Sequence, residues 1–158
     1  MPVVAGVEIG GVLKTTVLLV EDSKFQKIAN ERMLQRAGYT VLNAPDGEQA
    51  LRTAREAVPD IILLDMLLPK LGGREVMLAL RADPSTARIP VLFLSSLSQA
   101  NESKLAEDGA AGYFAKSRLA ERPAAGEKEL IQLIEKLVQS AKAAAAKSGP
   151  LKAVAKAT

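Results

Sequence analysis

Five polar side chains stand directly after short apolar runs in this 158-residue chain. Glu21 and Asp22 follow Val17-Leu18-Leu19-Val20. Asp65 follows Ile61-Ile62-Leu63-Leu64, Ser95 follows Val91-Leu92-Phe93-Leu94, and Lys116 follows Gly112-Tyr113-Phe114-Ala115. There is no His and no Cys. A Ser-His-Asp triad, a thiol nucleophile, the usual zinc sites and a disulfide framework are therefore excluded. What remains is carboxylate, hydroxyl and ammonium chemistry, which suits hard oxygen-ligand cations and phosphate.

Three carboxylates brought together repel, at roughly 4 kcal/mol per pair for a 4 Å separation and an effective dielectric near 20. A raised pKa or a cation must offset this. Lys116 supplies one positive charge, and a divalent ion such as Mg²⁺ would supply two more. A carboxylate can also act as a nucleophile and form an aspartyl phosphate, with a lysine and a hydroxyl to bind the phosphoryl oxygens. Taken singly, each residue has a plainer use. Asp22 could cap a helix, Asp65 could open a turn before Pro69, Ser95 could cap the next helix, and Lys116 could be a solvated charge. The grouping at four run ends favours the shared site.

The elements that would position these groups follow from periodicity. Continuous apolar runs at 17–20, 61–64 and 89–94 read as strands buried on both faces, with further strands at 39–44 and 111–115. Helices are expected at Ser23–Ala37, with Phe25, Ile28, Ala29, Met33, Leu34 and Ala37 inward, and at Glu48–Val58. Others are expected at Arg74–Ala82, at Ser98–Asp108 and from Glu127 onward. Strand and helix alternate five times, the pattern of a parallel sheet covered on both faces. Sites on such sheets form at the carboxyl ends of the strands.

The formal net charge is +3. Residues 141–158 carry four lysines and no acid, so the remainder sums to −1. The basic balance belongs to the tail. Ser148-Gly149-Pro150 is expected to break its helix and leave 141–158 disordered, while 1–14, with three glycines, reads as a flexible leader. Residues 15–140 form the expected domain. No apolar run approaches a membrane span, and Met1–Lys14 lacks the features of a signal peptide. A cytoplasmic location is expected.

With these residues in place, the chain resembles the receiver domain of two-component response regulators over about residues 15–140. The resemblance rests on Val-Leu-Leu-Val-Glu21-Asp22, on Pro-Asp-Ile-Ile-Leu-Leu-Asp65-Met-Leu-Leu-Pro69 and on Gly73. It rests also on Ile-Pro-Val-Leu-Phe-Leu-Ser95-Ser96 and on Gly109-Ala-Ala-Gly-Tyr113-Phe-Ala-Lys116. It implies an α/β, flavodoxin-like, doubly wound sheet of five parallel strands in the order 2-1-3-4-5. Asp65 would be the phosphoacceptor, with a histidine kinase or phosphotransfer protein as donor. Glu21 and Asp22 would hold Mg²⁺ together with Asp65 and the backbone carbonyl of Leu67. Ser95 and Lys116 would engage the phosphoryl group, and Tyr113 would turn inward on activation. Output would pass to a protein target through the fourth strand, the helix after it and the fifth strand. The chain would be a signalling domain rather than an enzyme, catalysing at most its own phosphorylation and dephosphorylation.

Three departures stand out. Ser117 replaces the family's usual proline after the lysine, so the loop there either strains or runs differently. Leu67 and Leu97, each two residues past Asp65 and Ser95, cannot orient a water by hydrogen bonding, which predicts slow self-dephosphorylation. Gly72 replaces an acid often found in that loop. Rival readings are a regulator that also binds DNA weakly through its basic tail and a pseudo-receiver that no longer takes phosphate. A third rival, an aspartate-nucleophile phosphatase, is disfavoured by Leu67, where such enzymes carry a second acid.

Overall fold

The computed structural model describes residues 8–9, 12–68, 70–95 and 106–157, with side chains for 14–68, 70–95 and 106–146. Two short strands, β1 (Glu8–Ile9) and β2 (Val12–Leu13), pair antiparallel. The 1–14 segment thus contains paired strands, which the sequence reading as a flexible leader did not foresee. Two residues per strand are too few for alternation to register.

The main sheet holds β3 (Thr16–Val20), β4 (Thr40–Ala44), β5 (Ile61–Asp65), β6 (Val91–Ser95) and β7 (Gly112–Ala115). All pairings are parallel, in the order β4-β3-β5-β6-β7. This is the 2-1-3-4-5 order that the resemblance implied. Alternate residues along each strand serve opposite faces. Leu18, Val20, Ile62, Leu64 and Phe93 pack with Ala50, Ala54, Val76, Met77 and Leu80 of α2 (Gly47–Ala57) and α3 (Gly73–Ala82). Val17, Leu19, Ile61, Leu63 and Leu92 pack with Met33 and Leu34 of α1 (Lys24–Arg36), and with Leu130, Ile134 and Val138 of the last helix.

Caps set the helix starts. Ser23 Oγ accepts from Gln26 N, and Asp46 Oδ1 accepts from Gln49 N at 2.9 Å. Gly38, at φ +99°, follows the end of α1. The expected inward stripe of α1 is corrected to Met33 and Leu34. Phe25 is 84% exposed, and Ile28, Ala29 and Ala37 are exposed too. Phe25 lies nine residues before Leu34, and nine steps of about 100° place it half a turn away from that buried contact.

After β7 the chain forms a short helix, α4 (Ser117–Glu121), and then α5 (Pro123–Ala157). The expected break at Ser148-Gly149-Pro150 is corrected, since the helical backbone continues through it to Ala157. Pro150 can donate no N–H to the ladder, but the flanking Ala and Lys residues are among the strongest helix formers. Of the expected helix at Ser98–Asp108, residues 98–105 lie outside the described residues, while Ala106 and Glu107 are helical.

Candidate functional site

Strand register brings the polar groups to one edge. Val20 pairs with Leu64, so Glu21 and Asp65 emerge side by side. Asp65 pairs with Leu94, and Ser95 with Ala115, so Ser95 and Lys116 emerge on the neighbouring strands. The Lys116 N–H donates to Ser95 O at 2.8 Å and fixes where the lysine leaves the sheet. Gly73 opens α3 directly over this edge. A Cβ on Gly73 would lie 2.5 Å from the Asp65 carbonyl oxygen, so no larger residue fits without moving backbone.

Carboxylate oxygens of Glu21, Asp22 and Asp65 all lie within 4.8 Å of one another. Glu21 and Asp65 are buried and Asp22 is exposed. Lys116 Nζ donates to Asp65 Oδ2 at 3.0 Å and to Glu21 Oε1 at 3.1 Å. The Leu67 N–H donates to Asp65 Oδ1 at 3.0 Å, so both Asp65 oxygens are held. The Ser23 N–H donates to Glu21 Oε2 at 3.2 Å. Glu21, 2% exposed, has its pKa raised from its ordinary value, first by burial and then by the charge of Asp65. Lys116 and the Ser23 N–H pull it back without cancelling the rise.

Three carboxylates against one ammonium leave a surplus of negative charge beside the ends of buried strands. Such an all-oxygen donor set suits a hard divalent cation that keeps several waters.

The remaining expected residues fall as follows. Ser95 is fully buried at the end of β6. Tyr113, on β7, is partly buried against the α2–α3 side of the core. Leu67 is 60% exposed at the mouth. Pro69, Ser96 and Leu97 lie outside the described residues. The peptide bond between Lys116 and Ser117 is trans, and Lys116 takes a helical backbone (φ −60°, ψ −26°) that leads into α4. Of the two courses expected with serine here, the loop runs differently.

One residue was missed by the sequence reading. Gln26 Oε1 accepts from Lys116 Nζ at 2.6 Å, closer than either carboxylate. The available signal was its place in the first turn of α1, three residues past the Ser23 cap.

A family model described as the response regulator receiver domain matches residues 17–122. The chain belongs to this family. It is 30% identical over 102 residues to the polar-differentiation response regulator DivK of Brucella anthropi, covering 64% of this chain and 83% of that one. It is 35% identical over 127 residues to the DNA-binding dual master transcriptional regulator RpaA of Synechocystis, covering 80% of this chain and 53% of that protein. Among solved structures it is similar to the receiver domain of the sensor histidine kinase PA1611 of Pseudomonas aeruginosa, with a magnesium ion in its active site cleft. That match has a TM-score of 0.69 at 30% identity and covers 80% of this chain and 98% of that one. Against several longer curated relatives, the chain spans between 15% and 53% of their length.

Receiver domains are signalling modules of two-component systems that work with histidine kinases and downstream effectors. The acidic cluster of this receiver lies at the carboxyl edge of its sheet. Among the described residues, no helix is long and apolar enough to cross a membrane.

Proposed function

We propose that this receiver accepts a phosphoryl group on Asp65 from a histidine kinase or phosphotransfer protein and signals through phosphorylation-dependent protein contacts. The observation that carries this reading is the placement of Asp65. It is buried, lies within 4.8 Å of two further carboxylates and is bonded to Lys116 at 3.0 Å. In the transfer, one Asp65 carboxylate oxygen forms the new O–P bond. The P–N bond to the donor imidazole breaks, and its electron pair stays on the imidazole nitrogen.

Glu21, Asp22, Asp65 and the carbonyl of Leu67 would hold Mg²⁺. When bound, the ion offsets the surplus carboxylate charge and the charge of the incoming phosphoryl group. Ser95 ends the strand beside that of Asp65, Lys116 follows the next strand and reaches Asp65 at 3.0 Å, and both bind phosphoryl oxygens there. The buried strands beneath exclude water from the floor of the site. Phosphorylation adds charge and acceptor oxygens. Following those oxygens, Ser95 and Lys116 bias the surface around β6 and β7, where Tyr113 turns inward and a protein target binds. The chain catalyses at most its own phosphorylation and dephosphorylation, in the cytoplasm.

The test is incubation of the 158-residue chain with acetyl phosphate and Mg²⁺, followed by intact-mass measurement. Wild type should gain one phosphoryl group, and Asp65→Ala should gain none. No gain in wild type, or an equal gain in the variant, would remove the proposal.

A further inference from the structure

Lys116 has a third acceptor besides the two carboxylates. An ammonium has three protons and no acceptor. Here three acceptors meet it, namely Glu21 Oε1 at 3.1 Å, Asp65 Oδ2 at 3.0 Å and Gln26 Oε1 at 2.6 Å. Because the ammonium can only donate, the Gln26 amide must turn its oxygen toward it.

Gln26 is itself fixed by a closed ring of hydrogen bonds. Its backbone N–H donates to Ser23 Oγ at 3.4 Å, the Ser23 N–H donates to Glu21 Oε2 at 3.2 Å, and Glu21 Oε1 accepts from Lys116. The ring joins the first turn of α1, the end of β3 and the residue after β7. The lysine backbone has no following proline to stiffen it. Its bond to Ser117 is trans and leads into helical backbone.

We infer that Gln26 is a positioning residue that holds the Lys116 ammonium at the mouth of the carboxylate cluster, where a phosphoryl oxygen on Asp65 would be met. This rests on the reading of Asp65 as the acceptor. Two of the lysine's three partners change during the reaction. Asp65 loses its carboxylate charge to the new bond, and Glu21 faces a cation. Gln26 is neutral and takes part in neither change. It is therefore the partner that keeps the ammonium in one place before and after transfer, which is the condition for preorganised charge stabilisation.

The test uses the full chain, saturating Mg²⁺ and acetyl phosphate, with the rate of phosphoryl gain read by intact mass. Gln26→Met keeps the side-chain length and removes the acceptor. The maximal rate should fall about 3–10-fold with the half-saturating donor concentration nearly unchanged, as expected for an interaction used mainly in the transition state. In a Lys116→Ala background the same substitution should change the rate by less than about twofold, because partners that act as a unit are not additive.

A second readout needs no turnover. Gln26→Met should speed exchange of the Lys116 ammonium protons with water, followed by nitrogen-15 NMR at low temperature. The inference is overturned if wild type accepts phosphate and Gln26→Met matches it, or if the loss is equal with and without Lys116. It is overturned also if ammonium exchange is unchanged. No phosphoryl gain in wild type instead removes the acceptor reading itself, and the inference with it.

Discussion

Two cations sit at opposite ends of the same strands and are held in opposite ways. Lys116, past the carboxyl end of β7, is bound by side chains, two of them carboxylates. Arg81, at the end of α3, reaches the amino ends of β6 and β7 and is bound by backbone. Its Nε and Nη2 donate to Gly109 O at 3.1 and 2.9 Å, and its Nη1 donates to Ala87 O at 3.1 Å and Ile89 O at 2.8 Å. Burial pushes the Arg81 pKa down from its ordinary value. A cation on backbone carbonyls can be exchanged for nothing, so it fixes two loops. Carboxylates and an amide can share their cation with an incoming anion. One end of the sheet is built to stay and the other to change partners.

Substitutions at these two residues should separate rate from stability. Lys116→Met should slow phosphoryl acceptance from acetyl phosphate on the order of 10²-fold, as loss of one charge-stabilising donor does. Its unfolding midpoint in Mg²⁺ should stay close to wild type. Arg81→Met should do the reverse. Leaving three part-buried carbonyls without this donor should cost about 2–4 kcal/mol in urea unfolding. The folded fraction should accept phosphate at the wild-type rate. A stability loss at Lys116 as large as that at Arg81 would erase the distinction.

A smaller effect concerns Glu21. Its raised pKa means that the folded state holds its proton more tightly than the unfolded chain does. Its contribution to stability is therefore present in full below about 4.5 and is lost as the pH rises through the raised value. In metal-free protein, Glu21→Gln should be more thermostable than wild type at neutral pH. The gap should shrink toward pH 4, and Mg²⁺ should narrow it by stabilising wild type alone. An equal gap across that pH range would contradict the cause given for the shift.

The smallest effect is at the mouth. Leu67, with its N–H on Asp65 and its side chain exposed, offers no group to orient an attacking water. The aspartyl phosphate should persist for minutes or longer in Mg²⁺ buffer, and Leu67→Asn should shorten its life severalfold. A wild-type half-life of seconds would count against this.

The groups at the carboxyl end of the sheet were legible in sequence because each ends an apolar run, and parallel register does the rest. Glu21, Asp65, Ser95 and Lys116 needed no tertiary information beyond the strand order. Gln26 was not legible, because a polar residue in the first turn of an exposed helix looks solvated until the helix is docked. Phe25 misled for the same reason, since apolar spacing alone does not say which side of α1 meets the sheet. Arg81 was invisible because its partners are backbone atoms, which leave no trace in residue type. The run of α5 through Pro150 was hidden because a local breaker stands among strong helix formers, and the sequence does not say which prevails.

Asp65, and neither of its two carboxylate neighbours, is proposed to carry the phosphoryl group. The most direct measurement is borohydride trapping after acetyl phosphate treatment, followed by peptide sequencing by mass spectrometry. Reduction of an aspartyl phosphate leaves homoserine. Homoserine is expected at position 65 alone. Homoserine at position 22, reduced glutamyl phosphate at position 21, or no reduced residue from a phosphorylated sample would contradict it.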